Sequence, residues 1–227
     1  LILKDVSFSY PGEFLAVDNI NMEIKSGENV AIVGQNGAGK TTTVKMMNGL
    51  LKPTKGDVLI GDMNTKNYTT AQISQVVGYV FQNPDDQIFH STVESEVRFA
   101  AVIAMNTDIL IFDEPTAGQD MEGNQRLGNI LKLLHEHGKT VITISHDMEF
   151  VADNFQKIIV MAKKKVVKEG TPSEIFWDFE TLEKAMLKQP YVSRVCRALG
   201  IEGGIISIDE AVEKIMGRER ICREKRD

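Results

Sequence analysis

The chain has 227 residues, 42% of them hydrophobic and 26% charged, with a formal net charge of −6; this supports one large domain, or one domain with a small appendage, around a sizeable core. The acidic balance argues against broad nucleic-acid binding, and no apolar run reaches the ~18–20 residues of a membrane span. Cys196 and Cys222 have no metal-ligand spacing and read as reduced thiols of a cytoplasmic protein. The chain opens at Leu1 with no signal peptide, so the N-terminus reads as trimmed and any membrane role as borrowed from a partner.

Residues 1–33 read as β structure. "LILKDVSFSY" and "NINMEIKSGE" alternate, with a turn at Ser26-Gly27, and "NVAIVG" is the continuous apolar run of a buried strand. A glycine loop then enters a helix with apolar positions Val44, Met47 and Leu51. "KPTKGDVLIGD" reads as a turn and a strand, "QVVGYVFQ" as a strand, and "TVESEVRFAAVIAM" as helical by propensity. "DILIFDEP" and "TVITISH" are buried strands on either side of "GNQRLGNILKLLHEHG", an amphipathic helix closing on Gly138. "KIIVMAKKKVVKEG" reads as a hairpin whose lysines, 163–165, form a solvated turn. The pattern predicts a mainly parallel α/β core with an antiparallel sheet from the first segment. Beyond Gly170 it turns helical and polar, so residues 171–227 read as an appended helical segment, with the mixed-charge tail "GRERICREKRD" solvated.

The chemistry concentrates at strand ends. "GQNGAGKT", that is Gly34, Gln35, Asn36, Gly37, Ala38, Gly39, Lys40 and Thr41, fits G-x-x-x-x-G-K-[ST] between a buried strand and a helix. Its backbone N–H groups and helix N-terminus suit phosphates, its lysine the β- and γ-phosphates, and the Thr41 hydroxyl Mg²⁺. A fortuitous glycine turn is the competing reading, and the strand–loop–helix context disfavours it. Asp113 ends "ILIFD" at the carboxyl edge of a buried strand, where ligands of open α/β sheets bind. It is a Mg²⁺ candidate, and Glu114 beside it could polarise a water. Alone, an apolar run ending in two carboxylates would be a surface pair; beside a P-loop it carries chemistry. His146 and Gln82 end two further buried runs in the same manner. A lone histidine is more often structural, but this placement favours a γ-phosphate contact. Tyr10, in "FSYPG", could stack on a purine or serve as a rim residue. His135 and His137 near a helix C-terminus suit its dipole better than a metal.

With these residues in hand, the chain resembles the ATP-binding subunits of ABC transporters, most closely the energy-coupling-factor type of cobalt, nickel and vitamin importers. The carriers are "FSYPG", "GQNGAGKTT", "VGYVFQNPDDQIFHSTVESEV", "DILIFDEPTAGQD" and "TISHDM". The resemblance implies a RecA-like P-loop NTPase core over residues 1–170, ATP and Mg²⁺ as ligands, and a dimer with an identical or paralogous ATPase. It also implies integral membrane partner subunits, no nucleic acid, and a peripheral position on the cytoplasmic face of the membrane. By resemblance, Tyr10 stacks on adenine; Val17 and Thr42 join the loop residues in binding nucleotide; Thr41, Gln82 and Asp113 hold Mg²⁺. Glu114 is then the catalytic base, with His146 and Gln82 sensing the γ-phosphate, and Asp120 crosses the dimer interface. Gln119 departs from the usual apolar residue there.

The resemblance breaks between Gln82 and Asp113, which only 30 residues separate. The family places there a helical subdomain with an LSGGQ-like signature; here "VESEVRFA" resembles its start and "AVIAMNTDIL" its end, meeting at Ala100–Ala101. A fused helix over Glu94–Met105, ~18 Å long, would still allow a crossover. The gap reads as a segment present in the molecule but missing from this sequence, as one cut out deliberately, or as one naturally absent, and family-like sequence on both sides favours the first. The leading functional reading is an ATPase that powers import. The alternatives are a non-hydrolysing ATP-binding subunit completed by a signature-bearing partner, and a soluble ABC-type ATPase, disfavoured because no coiled-coil insertion or paired cassette is present.

Overall fold

A computed structural model of the chain describes residues 1–80, 106–201 and 203–224. Two sheets organise it. β1 (Ile2–Tyr10) and β2 (Phe14–Glu23) form an antiparallel hairpin, extended by β4 (Lys55–Ile60) and the short β5 (Met63–Asn64) in the order β2-β1-β4-β5. The second sheet has the order β10-β9-β3-β8-β7-β6, built from β3 (Asn29–Val33), β6 (Val77–Val80), β7 (Ile109–Asp113), β8 (Thr140–Ile144), β9 (Lys157–Ala162) and β10 (Lys165–Gly170). Within it β6, β7, β8, β3 and β9 pair in parallel, and only β10 runs antiparallel, on β9. This is the mainly parallel core with an antiparallel appendix that the sequence pattern predicts.

Every residue of β3, β7 and β8 is buried, which is why these strands read as unbroken apolar runs. The period of two then sorts them between two cores. Val30, Ile32, Ile111, Ile142 and Ile159 face the antiparallel sheet and helix α1 (Lys40–Met47). Ala31, Val33, Leu110, Phe112, Val141 and Val160 face helices α3 (Met121–Glu136) and α4 (Met148–Asn154). Each buried large aliphatic contributes about 1.5–3 kcal/mol, so the carboxyl ends of β3, β7 and β8 form a rigid platform.

The same second core takes in Ile175 and Phe176 of α5 (Pro172–Phe176) and Leu182 and Ala185 of α6 (Phe179–Ala185). Apolar packing therefore continues across the position where the C-terminal segment begins in the sequence pattern. α7 (Tyr191–Ala198) and α8 (Ile208–Glu224) gather a separate small cluster of Cys196, Ile201, Ile205 and Ala211.

Some elements differ from the sequence reading. α1 ends at Met47, so Leu51 lies beyond it. α2 (Thr70–Ile73) is a single turn fixed by a reciprocal capping box between Thr69 and Gln72; it and α4 are too short to show a periodic signal. Gln82 and the fused helix expected over Glu94–Met105 lie outside the described residues. Among the described residues, no helix is long and apolar enough to cross a membrane.

Candidate functional site

β3 delivers the chain into the glycine loop, and the loop's shape follows from what its glycines touch. Gly34 has φ 150°, and a Cβ there would lie 2.0 Å from the Met161 carbonyl oxygen of β9; only glycine permits that approach. Gly39 has φ 99°, and a Cβ on it would fall 2.6 Å from the Ala16 carbonyl oxygen of β2. Gly39 is also the N-cap of α1 and offers no side-chain oxygen to the first turn. The amide donors at that helix start are thus left for an anion, which the positive end of the helix dipole also favours.

Lys40 opens α1 and is buried. Its ammonium donates to the carbonyl oxygens of Gly34 at 2.8 Å and Gln35 at 3.1 Å, and lies 3.3 Å from His146 Nε2. Burial pushes its pKa down, and the charges of Glu114 and Asp113 oppose that shift. The loop thus folds back on its own lysine, whose carbonyl partners can be exchanged for phosphate oxygens.

Asp113, at the end of β7, is 2% exposed. Its carboxylate accepts 2.8 Å from the Tyr79 hydroxyl and 3.4 Å from Thr41 Oγ1. Burial raises its pKa, the Tyr79 and Thr41 hydroxyls pull it down, and the neighbouring Glu114 charge raises it again. Tyr79 is forced well upward by burial and by that same carboxylate, so it remains a neutral donor. A buried carboxylate that accepts from two hydroxyls, with the Lys45 charge also drawing its pKa down, is a fitting oxygen ligand for a cation. Among the described residues no group of three or more His, Cys, Asp or Glu side chains could hold a metal. Mg²⁺ does not need one, because it takes one or two protein oxygens and completes its shell with phosphate and water.

Glu114 follows β7 with φ 52°, in the left-handed region, and its N–H donates to the Ile144 carbonyl at 2.9 Å. The turn directs its carboxylate to His146, with Oε1 2.9 Å from Nε2. His146 follows β8 and touches both Lys40 and Glu114 through one nitrogen. As an acceptor Nε2 suits Lys40; as a donor it suits Glu114. One atom cannot serve both at once, so a ligand arriving here selects between them.

Tyr10 closes the site from the antiparallel sheet. It is 36% exposed, its ring meets Phe8 edge to face at 4.9 Å, and its hydroxyl is 3.3 Å from Thr42 Oγ1. Lys40, Thr41, Thr42, Asp113, Glu114, His146 and Tyr10 are therefore linked around the loop that contains Gly34, Gln35, Asn36, Gly37, Ala38 and Gly39. One candidate differs. Val17 is fully buried beneath Gly39, so it shapes the loop and offers no surface to a nucleotide. Asp120 caps α3, accepting from the Gly123 N–H at 2.7 Å. The sequence reading missed Tyr79. Its signal is positional: Tyr79 pairs with Ile111 across the parallel ladder, and Asp113, two residues on, shares that face.

Loop, strand-end carboxylates and sheet order together define a P-loop NTPase. The chain matches the family described as ABC transporter over residues 17–96. It is 34% identical to the energy-coupling factor transporter ATP-binding protein EcfA of Methanocaldococcus jannaschii over 250 aligned positions, covering 89% of this chain and 90% of that protein. Since 89% of 227 residues is about 202, about 48 of those positions face no residue of this chain. Among solved structures, CbiO1 of Clostridium perfringens, described as part of the ABC transporter complex CbiONQ, has a TM-score of 0.70 at 27% identity, over 86% of this chain and 98% of that one. The bacterial ABC transporter cassette MJ0796, solved as a dimer, has a TM-score of 0.64 at 25% identity, over 75% and 98%. The chain belongs to the ABC transporter ATPases, among the ATP-binding subunits of the energy-coupling-factor type.

Proposed function

We propose that this subunit binds ATP with Mg²⁺ and hydrolyses it to drive import of a metal ion or vitamin through membrane partner subunits. The observation that carries the reading is the convergence of Lys40, Asp113, Glu114 and His146 on one P-loop at three parallel strand ends. The loop amides and Lys40 would receive the phosphates, with Lys40 leaving the Gly34 and Gln35 carbonyls. Thr41 and Asp113 would hold Mg²⁺, whose charge neutralises the β- and γ-phosphate oxygens. Glu114 accepts the proton of the attacking water, and His146, released from Lys40, contacts the γ-phosphate. Tyr10 stacks on the base. Gln82 would join Thr41 and Asp113 in serving the metal and the γ-phosphate, and Asp120 would face a second ATPase subunit. The complex would sit on the cytoplasmic face of the membrane, held there by its integral partners.

A second reading has a specific observation behind it: the aligned positions that face no residue of this chain. If they include the signature that caps the γ-phosphate of a facing subunit, this chain binds ATP but turns over only with a signature-bearing partner. ATPase rates of the chain alone and mixed with such a partner separate the two. Turnover alone supports the first reading, and turnover only in the mixture supports the second. ATP binding with no turnover in either would reject hydrolysis. Where turnover occurs, Glu114→Gln should cut it by about 10²–10⁴ and leave ATP affinity unchanged, as loss of a general base does.

A further inference from the structure

The hairpin face that covers the P-loop extends past Tyr10. Directly opposed residues of an antiparallel pair point to the same side, and β1 and β2 oppose Phe8 with Val17 and Tyr10 with Phe14. Val17 and Phe8 are buried, Tyr10 is at the rim, and Phe14 stands 62% exposed. Over the Phe14 ring lies the Lys164 ammonium, 4.9 Å from its centroid. Lys164 comes from the β9–β10 turn, which is fixed to the hairpin by Asp18. The Asp18 N–H donates to the Lys164 carbonyl at 2.9 Å, and the Asp18 carboxylate pairs with Lys165 at 3.0 Å.

That turn is unusual in composition. Lys165 pairs with Ala162, leaving the two-residue loop Lys163-Lys164 with φ 49° and 70°. Such a turn calls for Asn or Gly, and a side chain in the left-handed region is strained. Lysine at the second position carries a cation onto the Phe14 ring where glycine would relieve the turn.

We propose that Phe14 and Lys164 form the outer wall of the base pocket, so that a nucleobase on Tyr10 also meets the Phe14 ring and the Lys164 ammonium. The inference rests on the nucleotide-site reading above. An aromatic wall serves any base, whereas an ammonium donor favours an edge that presents ring nitrogens or carbonyl oxygens.

The test is calorimetric binding of ATP, GTP and inorganic tripolyphosphate to the full chain and to its Phe14→Ala and Lys164→Gly variants. Each variant should weaken ATP by about five- to tenfold, as lost base–aromatic or cation contacts do, with tripolyphosphate unchanged within about twofold. Lys164→Gly should also melt no lower than the parent, because it relieves the turn. Unchanged ATP affinity in both variants overturns the inference and leaves the nucleotide site standing. Parallel loss of ATP and tripolyphosphate overturns it too, by making the residues phosphate or structural elements. Failure of the parent chain to bind either ligand overturns the nucleotide site and this wall together.

Discussion

Asp113 is a buried carboxylate held by two hydroxyls, Tyr79 and Thr41, and the fold favours its protonated form because burial outweighs those bonds. Its folded pKa lies above the unfolded one, so the folded chain keeps the proton to higher pH. The ionised group therefore costs stability at neutral pH, and that cost is relieved as pH falls through the folded pKa. Asp113→Asn removes the charge and keeps an acceptor for Tyr79. It should raise the Tm of the nucleotide-free protein by a few degrees at pH 7, where about 1 kcal/mol corresponds to roughly 2–4 °C in a chain of this size. The advantage should shrink toward pH 4, and Mg²⁺-dependent ATP binding should be lost. A variant melting below the parent at neutral pH would mean that the ionised bond to Tyr79 outweighs the burial cost. The same logic applies in reverse to Lys40, whose burial lowers its pKa and favours an anion that would compensate it.

At the scale of elements, the starts of α1 and α3 contrast. α1 begins without a side-chain cap, leaving its first turn to a ligand, whereas α3 is capped by Asp120. If Asp120 also crosses to a second subunit, its two duties separate by substitution. Asp120→Ala should cost about 1 kcal/mol through the lost cap. Asp120→Asn keeps the cap and the Tm but removes the charge, and it should weaken ATP-dependent dimerisation. Analytical ultracentrifugation with ATP reads that difference. Dimerisation unchanged in Asp120→Asn would leave this residue a helix cap only.

For the whole molecule, the C-terminal helices present a face that the described residues do not cover. Tyr191 and Val195 of α7 and its C-cap Leu199 are exposed at intervals of four, and Ile208, Val212 and Met216 likewise along α8; such spacing aligns them in stripes. Arg194 and Arg197 accompany the first stripe, Asp209 and Glu213 the second. Under a two-fold axis the arginines of one copy can meet the carboxylates of the other, which is the self-complementarity a symmetric dimer needs. The double variant Val195→Asp, Leu199→Asp should lower the dimer fraction measured by light scattering without lowering ATP affinity in the monomer. A dimer of parental strength would move the contact elsewhere. A change in Tm would not decide the matter, because both positions lie outside the two main cores.

Much of this protein was legible in the order of its residues. The glycine loop, the three buried strands and their terminal Asp113 and His146 depend on local chemistry: unbroken apolar runs, left-handed glycines, and polar groups where those runs stop. Local signals could not reveal which strands are neighbours. The order β3-β8-β7-β6 brings Tyr79 to Asp113 and His146 between Lys40 and Glu114, and those contacts join residues far apart in the chain. Nor could they show that Val17 is sealed beneath Gly39, or that Ile175 and Phe176 belong to the main core. An apolar residue carries no mark of which surface it will meet. The sequence by itself thus determined the kind of site and its candidate members; only tertiary packing decided their partners, burial and charge balance, because those depend on distances between segments that no local pattern encodes.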